Sequence, residues 1–357
     1  MKFIHTGDIH LGAAPDAGMP RSRKRSREIW DTFYEIIRRC GEEKIDLLLI
    51  AGDLFHALPT QAQLEEVNAA FAAIPGTRVV LMAGNHDFIC RDNPAPAFPW
   101  AETVAGLFER KMECIRFPEI RTEVYGFSYH SREIKENLYA GLHPVGGNYF
   151  HILLAHCGDA SHIPVTVSSM AETGFDYIAM GHIHKGGALI ENRALWCGAP
   201  EPIDSADTGA HGYILGEVVR GRLKTKFVPC AKRSYKELIV ESDVQMTSYS
   251  MADYLQEAIR REGAEDIYRV ILTGQHKRGI RFDTQMLMEC GNILEVQDQT
   301  HPYLDVEKIR QSAKGTIIEE YIDSFDDEDD DPAVRRALIL GLEALLAAGK
   351  ENGNGNS

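Results

Sequence analysis

Five short apolar runs, each ending beside a polar residue of a metal-binding type, constrain the fold of this chain more than any other feature. Runs of this length and composition predict buried strands. Within two residues of the ends of these runs lie, in chain order, Asp8, Asp53, Asn85, His156 and His182. Because ligands bind beyond the carboxyl ends of strands in open α/β sheets, we expect these residues to meet at one edge.

The candidate ligands include the neighbours of these residues and form a coherent chemical set. They comprise two carboxylates, one amide and four imidazoles, namely Asp8, His10, Asp53, Asn85, His156, His182 and His184. A lone Asp-x-His is usually a turn, but five such segments in series favour a site. Oxygen and imidazole ligands without a thiolate suit two divalent ions, with Mn²⁺ as the first choice and Fe²⁺ or Zn²⁺ as alternatives.

The tetrapeptide Gly84-Asn85-His86-Asp87 adds groups that can move a proton. His86 offers an imidazole, a group that can transfer a proton, and the carboxylate of Asp87 can orient its neighbour. A polar and flexible segment at the end of a buried strand makes poor core. We therefore interpret it as part of a site.

These segments together resemble the signature of the calcineurin-like metallophosphoesterases. The longer forms of three motifs are similar to the SbcD-type DNA repair exonucleases: Gly52–His56, Gly126–Tyr129 and Gly181–Lys185. The signature spans residues 8 to 184, and a weaker similarity continues through residues 231–233 towards the last helix.

The resemblance implies a role for each site residue. One metal would be held by Asp8, His10, Asp53 and His184, and the other by Asp53, Asn85, His156 and His182. Asp53 would bridge the two ions, since a carboxylate has two oxygens. His86 would stay free of metal and protonate the leaving oxygen, Asp87 would orient it, and His56 would lie near the substrate.

The alternation of strands and helices predicts an α/β fold. We expect a two-sheet β-sandwich flanked by helices, as in the calcineurin-like phosphoesterases, with a small α/β capping domain and a C-terminal helix. The expected boundaries are 1–228 for the metallophosphoesterase domain, 229–312 for the capping domain, 313–348 for a helical partner-docking region and 349–357 for a disordered tail.

The resemblance implies a DNA nuclease that acts with an SbcC-like coiled-coil ATPase, and it allows a homodimer. The formal net charge of −15 argues against general nucleic-acid binding and favours the alternative of a small-molecule or protein phosphoesterase. Part of this excess is local, since residues 323–331 include seven acids. A third hypothesis, a binding module on a decayed site, is disfavoured by the complete ligand set.

A basic segment, residues 21–27, contains five cations among seven residues. It begins eleven residues after His10. One interpretation is a solvated loop, and the other is a loop that contacts substrate phosphates. In a chain this acidic, the nearness to the ligands favours the second.

The seven cysteines form no C-x-x-C pair and are expected to be reduced, as in a cytoplasmic protein. No apolar run approaches the roughly 20 residues that a membrane span requires, so we expect no membrane contact.

The last helix, expected from Pro332 to Ala348, carries apolar residues around much of its circumference and needs a partner surface. That surface would belong either to the ATPase or to the chain itself.

Overall fold

The computed structural model describes residues 1–325 and 331–353. They form two compact units. The first unit comprises Met1–Lys236 together with Glu265–Ile267, and the second comprises Glu237–Ala264 and the described residues from Tyr268 onward.

The strands, in chain order, are β1 (Lys2–Thr6), β2 (Leu47–Ala51), β3 (Arg78–Met82), β4 (Val104–Gly106), β5 (Glu113–Phe117), β6 (Thr122–Gly126), β7 (Phe150–His156), β8 (Tyr177–Gly181), β9 (Gly187–Ile190), β10 (Ala194–Trp196), β11 (Gly212–Val219), β12 (Arg222–Pro229), β13 (Tyr235–Ser242), β14 (Ile267–His276), β15 (Ile293–Asp298) and β16 (His301–Pro302). The helices are α1 (Ser22–Glu42), α2 (Gln61–Ala72), α3 (Val167–Ala171), α4 (Ser248–Gly263), α5 (Thr284–Met288), α6 (Val306–Ser312), α7 (Ile317–Asp323) and α8 (Pro332–Gly353).

The first unit contains two mixed sheets, which confirms the predicted sandwich. One sheet has the order β12-β11-β1-β2-β3-β4, and the other has the order β5-β6-β7-β8-β10-β9. Within each sheet the strands that carry the candidate ligands run parallel to one another, with β1–β2–β3 in one sheet and β7–β8 in the other. Their carboxyl ends therefore share one edge in each sheet.

Strand β2 shows why these runs are apolar throughout. Leu48 and Ile50 pack in the cluster that contains the buried face of α1, whereas Leu47, Leu49 and Ala51 pack in the cluster shared with the second sheet. Side chains alternate between the two faces of a strand, so a strand covered on both faces must be apolar at every position.

The helices of the first unit cover the outer faces. The buried face of α1 includes Ile29, Phe33, Ile36, Ile37 and Cys40, as the helical spacing predicts. Helix α2 is capped by Thr60, whose hydroxyl forms a capping box with the side chain of Gln63.

The prediction of a phosphate-contacting loop at residues 21–27 is wrong, because the segment forms the start of α1. The guanidinium of Arg25 is fully buried and lies 2.6 Å from Glu28 and 3.3 Å from Glu201. Arg21 pairs with Asp16 at 2.6 Å, and Lys24 pairs with Glu265 at 3.1 Å. Acids brought close by the fold therefore neutralise most of this cluster.

The second unit contains the predicted β-α-β arrangement of β13, α4 and β14, with β15 and β16 pairing parallel to β14. Thr247 caps α4, since its hydroxyl accepts from the main-chain N–H of Ser250. The apolar faces of α4, β14 and β15 form the core of this unit.

Helix α8 packs on the same chain. Its residues Ile339 and Leu342 are 8% and 0% exposed and form a cluster with Leu304 and Ile322. The structure therefore supports the intramolecular alternative for this face of α8, while Leu340 is 55% exposed.

The prediction of a disordered tail at residues 349–357 is wrong for residues 349–353. Residues 349–353 continue α8, whereas residues 354–357 lie outside the described residues, as do residues 326–330 of the acidic run. None of the described helices combines the length and apolar character that crossing a bilayer would require.

Candidate metal centre

The segments that follow β1, β2, β3, β7 and β8 converge, and they bring the predicted ligands together. The candidate ligands form two groups, and within each group the ligand atoms lie within 4.8 Å of one another. One group is Asp8, His10 and His184, and the other is Asp8, Asp53 and His156. A third group of the same kind, His10 with His56 and His86, lies beside them.

Asp53 lies between two histidines that belong to different segments. Its Oδ2 is 3.5 Å from Nε2 of His156 and 3.8 Å from Nε2 of His10. Its other oxygen, Oδ1, accepts a hydrogen bond of 2.8 Å from the main-chain N–H of His86. This carboxylate therefore faces both histidines at once, as a bridging ligand must.

Asn85 joins the His156 side of the centre. Its Oδ1 lies 2.9 Å from Nε2 of His156 and 3.2 Å from Nδ1 of His182. On the other side, Nε2 of His10 and Nε2 of His184 are 3.0 Å apart. Ring nitrogens from separate elements therefore point at two common regions.

The backbone is strained where it presents these ligands. Asp8, His10 and Asp53 have φ values of 50°, 52° and 49°, and His182 has a φ of 88°. Such left-handed conformations cost non-glycine residues about 1–3 kcal/mol each and are concentrated at functional sites. Strain at four candidate ligands indicates that the fold maintains this geometry for a site.

Gly84 allows the segments to approach closely. A Cβ at this position would collide with the carboxylate of Asp53 and lie 2.7 Å from Cε1 of His156. A side chain here would therefore displace two candidate ligands.

The two carboxylates are buried without a Lys or Arg partner among the described residues. Asp8 and Asp53 are 0% and 1% exposed, and their ion-pair partners among the described residues are histidines rather than Lys or Arg. Burial raises the pKa of Asp8 to about 7, and the neighbouring Asp53 contributes to the increase. Buried carboxylates without a Lys or Arg partner fit a site for divalent metal ions.

Three of the four candidate histidine ligands are suited to donate lone pairs to such ions, whereas, against the effect of burial, hydrogen bonding to Asp207 raises the pKa of His184 to about 9. Burial lowers the pKa of His156 to about 3 and that of His182 to about 4, and it lowers the pKa of His10 well below the ordinary value. These three rings are therefore neutral at pH 7. The ligand chemistry and the absence of thiolates suit Mn²⁺, Fe²⁺ or Zn²⁺.

His86 and His56 form a pair beside the candidate ligands. Nδ1 of His86 lies 3.0 Å from the main-chain oxygen of His56, and the two rings stack with their centroids 5.1 Å apart. The ring of His10 is 4.8 Å from that of His86. His86 therefore lies against the centre. Its Nε2 is on the far side of the ring from the His56 carbonyl.

The expectation that Asp87 orients the ring of His86 is wrong. The carboxylate of Asp87 accepts hydrogen bonds from the main-chain N–H groups of Gly84, at 2.7 Å, and Phe55, at 3.1 Å. Asp87 thus joins the two loops that carry His86 and Asp53, and the His56 carbonyl contacts the ring. Although Asp87 adjoins His86 in the sequence, its carboxylate contacts the backbone of Gly84 and Phe55 instead of the His86 ring.

Two further carboxylates contact candidate ligands and carry no motif in the sequence. Asp207 lies 3.0 Å from Nδ1 of His184, and Asp159 accepts a hydrogen bond of 2.8 Å from Nε2 of His182. Asp159 follows His156 by three residues, whereas Asp207 is remote from every motif. Carboxylates in such positions commonly orient metal-binding histidines.

The sequence of this chain is similar to the sequences of several known proteins. A protein named uncharacterized metallophosphoesterase YhaO, from Bacillus subtilis, is 27% identical over 302 residues, which cover 77% of this chain and 72% of the relative. Proteins named DNA double-strand break repair protein Mre11 are also similar. The one from Methanopyrus kandleri is 28% identical over 62% of this chain, and the one from Saccharolobus solfataricus is 23% identical over 78%.

The chain covers 55% of the length of the Methanopyrus protein and 76% of the Saccharolobus protein. A family model described as Calcineurin-like phosphoesterase matches residues 1–186, more than half of the 357 residues and all of the segments that carry the predicted ligands. This chain therefore belongs to the calcineurin-like phosphoesterase family.

Proposed function

We propose that this protein is a metal-dependent DNA nuclease that hydrolyses phosphodiester bonds. The observation that carries the proposal is the carboxylate of Asp53, which faces His10 on one side and His156 on the other. A shared carboxylate of this kind would hold two divalent ions, and a pair of such ions supports phosphodiester hydrolysis. Several similar proteins carry names that refer to DNA double-strand break repair.

Each residue has a role in this proposal. One ion, most simply Mn²⁺, would be held by Asp8, His10, Asp53 and His184, and the other by Asp53, Asn85, His156 and His182. Such a pair of ions supplies Lewis-acid activation of the phosphodiester and of a water nucleophile.

The side chain of His86 takes the proton-transfer role. Since the carbonyl of His56 accepts from Nδ1–H, the imidazolium form of the ring would give the proton on its Nε2 to the leaving oxygen and would keep the proton on Nδ1. Asp87 keeps the loop of His86 against the loop of Asp53 through its two main-chain contacts.

Contact with DNA phosphates needs cations that acids do not already neutralise. The turn after β14 carries Lys277, Arg278 and Arg281, and all three side chains are exposed. We assign to this turn the role that the sequence suggested for residues 21–27. The second unit would thus act as a capping domain that contacts the substrate.

A smaller phosphoester substrate is the second candidate function. It is favoured by the net charge of −15 and by the neutralisation of Arg21, Lys24 and Arg25 by acids. The proposal of an SbcC-like ATPase partner rests on the sequence resemblance alone, and co-purification with such an ATPase would test it.

The function is tested by measuring hydrolysis of DNA oligonucleotides, a cyclic nucleotide and a phosphopeptide by the full chain with Mn²⁺. We expect DNA cleavage that EDTA abolishes. The control is Asp53→Asn, which should lose both metal and cleavage because one carboxylate serves both ions. Turnover of the cyclic nucleotide or phosphopeptide without DNA cleavage would reject the nuclease in favour of the second candidate.

A further inference from the structure

Three histidines of the centre are each oriented through the nitrogen that points away from it. Nδ1 of His156 donates to the main-chain oxygen of Ala51 at 2.8 Å. Nδ1 of His184 contacts Asp207 at 3.0 Å, and Nε2 of His182 contacts Asp159 at 2.8 Å. Each contact fixes the ring and leaves the opposite nitrogen to face the candidate ligands.

The two carboxylates differ in their surroundings. The side chain of Asp207 is 12% exposed, whereas that of Asp159 is 52% exposed. Asp207 also accepts main-chain hydrogen bonds from Ile203, at 3.0 Å, and Asp204, at 3.2 Å. Contacts of a largely buried carboxylate are stronger than those of an exposed one, because solvent and salt screen the exposed group.

Asp159 is also shared between two imidazoles. Its oxygens lie 2.9 Å from Nδ1 of His162, and the rings of His162 and His182 have centroids 4.4 Å apart. The main-chain N–H of Ser161 donates to the same carboxylate at 2.7 Å. His162 therefore positions Asp159, and Asp159 positions His182.

We propose that Asp159, positioned by His162, sets the affinity of the metal position that contains His182 and Asn85. That position then has the lower metal affinity of the two, since Asp159, which orients its histidine, is half exposed. The position that contains His184 is supported by the largely buried Asp207. The ion at His182 binds second and dissociates first. This inference rests on the proposed dimetal function and assigns Asp159 and His162 to the control of metal occupancy.

The experiment is a titration of the metal-free full chain with Mn²⁺ alone. Calorimetry and electron paramagnetic resonance monitor the binding. The parent protein should show a tight and a weak class of site. Asp159→Asn should weaken the weak class about 10- to 100-fold, the scale found for outer-shell partners of metal ligands, and leave the tight class within about twofold. Asp207→Asn should instead weaken the tight class.

Two further variants separate positioning from general damage to the fold. Asp159→Glu keeps a carboxylate and should recover part of the affinity, whereas His162→Asn should weaken the same class by less than Asp159→Asn. With the tight sites filled and one further equivalent of Mn²⁺ added, the parent should show spin coupling between two Mn²⁺ ions. Asp159→Asn should show no such coupling at the same metal concentration.

Equal weakening of both classes in Asp159→Asn, or no change in either, would overturn this inference while leaving the proposed nuclease intact. A parent protein that binds no divalent ion would overturn the proposed function, and this inference with it.

Discussion

The imidazole of His86 is oriented by the backbone of His56, whose carbonyl oxygen lies 3.0 Å from its Nδ1. The contact depends on the main chain, so the identity of the residue at position 56 does not affect it directly. It places one proton on Nδ1, so the proton that the imidazolium can pass to a substrate is the one on Nε2.

His86→Gln should therefore retain both metals and lower turnover by about a hundredfold or more, the range for a lost general acid. Metal analysis and single-turnover cleavage measure the two quantities. His56→Ala is the matched control, since it keeps the carbonyl, and a smaller loss is expected. Loss of metal from His86→Gln would make His86 a ligand instead.

Arg25→Met should destabilise the first unit by about 3–5 kcal/mol, because it leaves Glu201 buried without its guanidinium partner. Urea unfolding followed by tryptophan fluorescence reports on this unit, since Trp30, Trp100 and Trp196 all lie in it. Arg23→Met, at an exposed position two residues earlier, should change stability by at most about 0.5 kcal/mol. Equal effects would remove the distinction between buried and exposed cations.

Leu342→Ala should destabilise the packing of α8 by about 2–5 kcal/mol, since the side chain is fully buried beside Ile322. Hydrogen exchange of α6, α7 and α8 measures the change. The matched control Leu340→Ala removes an exposed side chain and should change it by at most about 0.5 kcal/mol. An unchanged exchange pattern in Leu342→Ala would mean that α8 packs elsewhere in solution.

Replacing Lys277, Arg278 and Arg281 with Ser should weaken DNA binding and flatten its salt dependence. Each lost phosphate contact lowers the log–log slope by about 0.7–0.9. Arg260→Ser is the control, because Glu257 already pairs with that guanidinium. If the slope of the triple variant equals that of the parent, the turn is a solvated surface without phosphate contacts.

Removing metal should make stability depend on pH through Asp8. Its pKa is about 7 in the folded metal-free protein because of burial, against an ordinary 3.8. The folded state then binds more protons than the unfolded state between these values, so this group's contribution is present below pH 3.8 and is lost as pH rises through about 7.

His156 and His182, whose pKa values are lowered by burial, contribute with the opposite sign below their ordinary pKa, so the informative comparison is with Asp8→Asn. Melting temperatures after EDTA treatment should fall between pH 5 and pH 8 more steeply in the parent than in Asp8→Asn. Parallel melting curves for the two proteins would contradict the raised pKa of Asp8.

The sequence alone determined the sandwich and the converging ligand segments. Apolar runs such as Val79–Ala83 predict strands covered on both faces, and the polar residue at the end of each run predicts which edge they share. The capping box at Thr60 was equally legible, because its two partners are three residues apart. These are local patterns, or repetitions of one local pattern.

The tertiary structure decided everything that depends on partners distant in the sequence. Arg25 is identical to its cationic neighbours in sequence, yet it meets Glu201 at a separation of 176 residues and is buried. Asp207 and Asp159 carry no motif, and they support the histidines only because the fold brings their loops to the centre. The sequence also left both partners of α8 open, and the burial of Leu342 assigned one face to the chain itself. Charge patterns and helical periodicity indicate which faces need a partner, but only long-range packing determines which residue provides it.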